Sequence, residues 1–193
     1  GLSYAYAECN KPEAARAALA RAQALARGTG AHDRLHIEAR AAQLAAEAAP
    51  ADRTKLTAYR ANLDAALRVQ PTDAELWILR GVAESPDPTD RGQGSVVSAV
   101  PYYEKALALG GVSAHHYLTH AYENSAQFQK AVEHGGAYAA LAPKVPHALH
   151  MLGHVLRRTA QIEKAVAAFE EAERVQAAYF VAEKIPPEFE WHH

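Results

Sequence analysis

The chain echoes itself at a fixed lag. Residues 116–132 read HYLTHAYENSAQFQKAV and residues 150–166 read HMLGHVLRRTAQIEKAV, and the two segments agree at eight of seventeen positions: His116/His150, Leu118/Leu152, His120/His154, Ala126/Ala160, Gln127/Gln161, Lys130/Lys164, Ala131/Ala165 and Val132/Val166. A repeat of 34 residues is the length of one helix-turn-helix unit, so it constrains the fold more than any other feature: a thin pair of helices buries its apolar stripe only by stacking on the next pair. Histidines repeat along with the apolar framework, which stacking alone does not require.

The remaining sequence agrees with an all-α chain. Alanine, the strongest helix former, supplies 45 of 193 residues, whereas a β protein would be richer in Val, Ile and Thr. Periodic apolar segments predict helices over 2–9, 13–26, 31–48, 53–69, 74–84, 96–109, 113–124, 127–141, 147–158 and 161–176. They are punctuated by Pro12, by Gly28-Thr29-Gly30, by Pro50, by Gln70-Pro71-Thr72-Asp73 and by Gly110-Gly111. Pro101 falls inside the sixth of these patterns. Residues 85–94, SPDPTDRGQG, are turn formers and read as an insertion loop. Two units follow: a solenoid over 1–176, and a tail over 177–193. The end of that tail, EFEWHH, carries His192 and His193 and is aromatic enough to dock on the groove.

Composition excludes several function classes. A net charge of −2 and a pI near 6.6 give none of the basic excess that nucleic-acid binding requires. No run approaches the roughly 20 apolar residues of a membrane span, so no insertion in a membrane is expected. Cys9 stands alone, which rules out an internal disulfide and a paired-thiolate zinc site, and a free cysteine is usually at least partly buried. Phosphate loops, nucleophile elbows and dinucleotide fingerprints are absent, and no set of residues reads as catalytic, so the chain leans away from being an enzyme. A soluble cytoplasmic or periplasmic location fits equally well. The sequence starts at Gly1 rather than Met, and it leaves open both the oligomeric state and whether the native chain continues beyond either end.

The apolar framework resembles the tetratricopeptide repeat, in which a bulky residue, Leu-Gly and an aromatic mark the first helix, and Ala, an aromatic or Leu, Ala and a closing Pro mark the second. Leu149, Leu152, Gly153, Leu156, Ala165, Phe169 and Ala172 fill that pattern in the last copy. Leu118, Tyr122, Ala131 and Pro143 fill it in the copy before, where Thr119 and Gly135 depart from the usual Gly and aromatic. Trp77, Gly81, Ala99, Tyr103 and Ala106 fit an earlier copy broken by the loop. Tyr59, Leu63, Ala66 and Pro71, and then Ala15, Leu19 and Ala22, mark second helices further upstream. The last two copies are also similar to a bacterial group of such proteins of unassigned function with HYxxHA and HMxxH segments. The resemblance implies a right-handed α-solenoid of about five hairpins that acts as an interaction scaffold, with the first helix of each hairpin lining a concave groove.

Of the eleven histidines, His116 and His120 are spaced i, i+4, and His147, His150 and His154 are spaced i, i+3, i+7. Each set shares one helix face, outside the stripe of Leu118 with Tyr122 and of Leu149, Leu152 and Leu156. The resemblance places all five in groove-facing slots on adjacent first helices, whose packing distance of roughly 8–10 Å lets their side chains converge.

Two readings follow. One is a groove that binds a peptide or protein segment through His116, His120, Glu123, His147, His150 and His154, with Arg157 and Arg158 as carboxylate clamps. The other is a transition-metal site for Zn, Cu, Ni or Fe, held by His116, His120, His150 and His154, with the metal as the only cofactor the sequence suggests. A further pair, His32 and His36, opens the third helix and reads as an exposed helix start. His134, in a second helix, reads as irrelevant to the site.

Overall fold

The computed structural model describes residues 1–90 and 96–186. Among these residues it consists of ten α-helices and no strand: α1 Leu2–Glu8, α2 Pro12–Leu25, α3 Ala31–Glu47, α4 Arg53–Val69, α5 Ala74–Val82, α6 Val100–Ala108, α7 Ala114–Asn124, α8 Phe128–Leu141, α9 Pro146–Arg158 and α10 Ile162–Glu183. Each helix packs on the one before it and the one after it, and α7 also touches α9 directly. Five hairpins therefore stack in chain order as a helical solenoid.

Small residues set the spacing. Ala15, Ala39, Ala66, Ala99, Ala106, Ala131 and Ala165 are all buried, and a single methyl at such positions lets neighbouring elements approach closely. Larger side chains, led by Tyr59, Leu63, Leu76, Tyr103 and Leu118, fill the spaces between hairpins. Two glycines show why the repeat pattern pairs Gly with an aromatic. A Cβ on Gly81 would lie 2.3 Å from Tyr103 Cε1, and one on Gly153 would lie 2.6 Å from Phe169 Cε1, so each ring lies against bare backbone of its partner helix. The α7–α8 hairpin meets the same need in reverse. Its first helix carries Thr119 and its second carries Gly135, whose Cβ position lies 3.5 Å from the Thr119 methyl and 3.1 Å from Val155 Cγ2. The two departures from the pattern are one compensated exchange.

Gly81→Ala is accordingly expected to destabilise the fold by about 1–3 kcal/mol, because Tyr103 is fully buried and has nowhere to move. Gly136→Ala, in the interior of α8 with open space around it, should be neutral or stabilising by up to about 1 kcal/mol. Urea denaturation of the pair separates overpacking from helix propensity.

Hairpin turns close in a common way. Asn10, Ala126 and Ala160 all adopt left-handed backbone conformations with φ of 52°, 59° and 58°. The amide that follows each of them returns to a carbonyl five residues back, as Gln127 N–H does to Tyr122 O at 2.8 Å and Gln161 N–H to Leu156 O at 3.0 Å. This is the helix-ending arrangement that favours glycine. Ala160→Gly should therefore raise the urea midpoint, by an increment on the order of 0.5–1 kcal/mol once glycine's own entropy is set against the relieved left-handed strain.

Some details depart from the sequence expectations. Pro101 does not interrupt a helix interior: a 3-10 turn at Val97–Ala99 precedes it and Pro101 occupies the first turn of α6, where its missing N–H and fixed φ cost nothing. Helix α10 runs on past residue 176 to Glu183 and ends at Lys184 with φ of 54°. Cys9 is exposed, since it caps α1 at a turn rather than pointing into the stack. In α9 the buried face comprises Ala148, Met151, Val155 and Leu156, and Leu149 is only half-buried, because this helix packs on α7, α8 and α10 at once. The end of the expected docking tail, including His192 and His193, lies outside the described residues.

Buried polar links tie the upstream hairpins. Arg80 donates to Asp64 at 2.6 Å and Glu84 at 2.5 Å and lies over the Tyr102 ring. Arg60 donates to the carbonyls of Ala83, Glu84 and Ser85, holding the end of α5 where the insertion loop departs. Among the described residues, no helix is long and apolar enough to cross a membrane.

Candidate functional site

Helices α1, α3, α5 and α7 share one side of the stack: Tyr4, Glu8, Arg40, Gln43, Glu75 and Tyr117 line one small cavity of about 110 Å3 between them. Next to Tyr117 along α7, the sequence places His116 and His120 one turn apart, and Pro146 starts α9 so that His147 stands in its first turn. These three imidazoles converge. His116 Nε2 lies 3.1 Å from His120 Nε2 and 3.1 Å from His147 Nε2, and a ligating nitrogen from each of the three falls within 4.8 Å of the others.

Aromatic neighbours hold the cluster. Tyr138 of α8 stacks on His116 with ring centroids 5.3 Å apart, and Tyr117 lies 4.9 Å away on the other flank. Burial disfavours the charged imidazolium, and each ring also disfavours charge on its neighbours. Together these lower the His116 pKa to about 3 and that of His120 to about 4, with the nearby His154 contributing to the latter. At neutral pH both rings are neutral and present lone pairs.

His150 and His154 lie on the same helix as His147 but gather around a different neighbour. Their rings are 4.6 Å apart and both make edge contacts with Phe169 of α10. The ring nitrogens that fall within 4.8 Å of one another are those of His116, His120 and His147, while His150 and His154 of the expected metal set pair with each other, His154 lying near enough to His120 to lower its pKa. His116 faces the residue one turn before its own 34-residue equivalent, since neighbouring repeats are displaced along their axes. Glu123 and Arg158, both expected groove residues, approach each other at 3.5 Å, and Arg158 also lies over the Phe128 ring. Arg157 is exposed at the end of α9.

Two features of histidine chemistry escape the sequence reading. His134 of α8 meets His115 of α7 with Nδ1 atoms 2.9 Å apart and stacks on Tyr122, so it is a structural partner inside the hairpin. His36 is not merely an exposed helix start: its Nε2 lies 2.8 Å from Asp73 Oδ2. Asp73, which the sequence offers only as the end of the Gln70–Asp73 turn, caps α5 through the Leu76 N–H and pairs with His36 across 37 residues.

The stacked hairpins define the described residues as an α-solenoid. Residues 146–179, covering α9 and most of α10, match the tetratricopeptide-repeat family model, so this hairpin is a tetratricopeptide repeat closing a solenoid of similar units. No curated protein matches the chain.

Proposed function

We propose that this protein is a tetratricopeptide interaction scaffold that holds a transition-metal ion with His116, His120 and His147. The observation that carries the reading is the convergence of three ring nitrogens. Zinc–imidazole bonds of 2.0–2.1 Å in a tetrahedral site put ligand atoms about 3.3 Å apart, close to the 3.1 Å of the two nitrogen–nitrogen contacts. A shared proton serves one such contact at a time, whereas a cation at the centre draws on all three lone pairs. The His116 and His120 rings are neutral at pH 7, as metal ligation requires.

The test is elemental analysis of protein purified without any metal-affinity step and with His192→Ala/His193→Ala, to remove the terminal pair as a binder. Bound Zn, Cu, Ni or Fe whose content falls by about one equivalent in His116→Ala and in His147→Ala is the expected result. Protein free of metal, with no uptake from a zinc buffer, overturns the reading.

A second reading, binding of a peptide or protein segment along the concave side, draws support from the cavity that four first helices line together. Glu8, Glu75 and Tyr117 there offer acceptors and a ring face to an extended chain, with the histidines and Arg157 and Arg158 further along the same side. Glu75→Ala should weaken capture of such a segment while leaving metal content unchanged.

A further inference from the structure

The start of α3 carries a second histidine pair, built differently from the first. His32 and His36 lie one turn apart, with ring centroids separated by 4.6 Å. Both aim Nε2 at a single carboxylate oxygen, Asp73 Oδ2, at 3.1 Å from His32 and 2.8 Å from His36. Asp73 is not free to wander: its side chain is 8 % exposed, and its Oδ1 accepts from the Leu76 N–H at 3.1 Å as the N-cap of α5. That backbone amide fixes the carboxylate and leaves Oδ2 directed at the histidines, the orienting arrangement common around ligating carboxylates.

The surroundings give this cluster an open side. His32 is 62 % exposed, and both histidines stand in the wall of a cavity of about 620 Å3 whose lining mixes apolar side chains such as Leu19, Ala22 and Leu25 with Arg21, Arg40 and Glu75. Two imidazoles and one carboxylate, with their donor atoms within 4.8 Å of one another, form the three-ligand set that binds Zn, Fe, Ni or Co while keeping further coordination positions available.

We propose that His32, His36 and Asp73 form a second divalent transition-metal site that is separate from the three-histidine cluster and accessible from the cavity between α1, α2 and α3. A hydrogen-bonded His–Asp pair accounts for His36 alone. It does not account for His32, which brings its Nε2 to 3.1 Å from the same oxygen while its Nδ1 lies 3.3 Å from Asp33 Oδ1. The site ties the second hairpin to the third, since its ligands come from α3 and from the cap of α5.

Cobalt(II) titration of the chelator-treated full chain tests this, with His192→Ala/His193→Ala in every variant and helix content checked by circular dichroism. The parent protein should take two equivalents, and His116→Ala/His147→Ala should keep one. Adding Asp73→Asn to that variant should reduce uptake to none, because asparagine still caps α5 but loses the charged ligand atom. His36→Ala should act in the same way. Failure of His116→Ala/His147→Ala to bind cobalt, or cobalt uptake that survives Asp73→Asn and His36→Ala, overturns the proposal. One equivalent in the parent protein that is lost in Asp73→Asn alone overturns the three-histidine site and leaves this one standing.

Discussion

Adding zinc to chelator-stripped protein is expected to raise its thermal midpoint by roughly 8–16 °C at a free concentration a thousand times the dissociation constant. Binding to the folded state alone contributes about 4 kcal/mol under those conditions, and a chain of this size gains about 2–4 °C per kcal/mol. His116→Ala, which removes the nitrogen common to both short contacts, should lose the three-histidine cluster's share of the shift and keep that of His32, His36 and Asp73. Differential scanning fluorimetry with zinc, cobalt and magnesium makes the measurement specific, because magnesium prefers oxygen ligands and should leave the midpoint unchanged. A midpoint that responds to no transition ion, or that responds as strongly in His116→Ala/Asp73→Asn, counts against both histidine sites together.

In the presence of chelator, acid should destabilise the protein well before its carboxylates are protonated. His116 and His120 have folded-state pKa values near 3 and 4 against an unfolded value near 6.5. Between those limits the unfolded chain binds more protons than the folded one. Stability is therefore complete above about pH 6.5 and declines as pH falls toward the folded values, by up to about 1.4 kcal/mol per unit for each group. Because the two rings oppose each other's protonation, the loss from pH 7 to pH 5 should be on the order of 2–4 kcal/mol. Urea midpoints measured across that interval report it directly. His116→Gln/His120→Gln has no imidazole at either position, and its stability should decline less steeply over the same range. An equal decline in both proteins would place the acid sensitivity elsewhere.

Most of the fold could be read from the sequence because stacking imposes local rules. Buried alanines, Leu118 and Tyr122 on one stripe, and glycines opposite aromatics all repeat along the chain and need no knowledge of distant contacts. What the sequence hid were the places where one position answers another: the Thr119 methyl lies against the bare backbone of Gly135, and α6 begins at Val100, so that Pro101 stands in its first turn. The candidate site was half legible for the same reason. Spacing i, i+4 put His116 and His120 together on α7, because both belong to one helix. Which residue of α9 meets them depends on the axial offset between adjacent hairpins. That offset brings in His147 and leaves His150 and His154 beside Phe169. Asp73 reaches His36 across the boundary between the second and third hairpins, a distance that no periodicity encodes.

His116 and His120 belong to the fourth hairpin and His147 to the fifth. A stack of hairpins behaves mechanically as a spring, whose softest deformation is a change in angle between neighbouring units, so that the width of its inner surface breathes. An ion coordinated from both hairpins would act as a clip across one joint of that spring, locking its opening angle. Ion occupancy would then tune how wide a partner the inner surface admits without touching the partner at all.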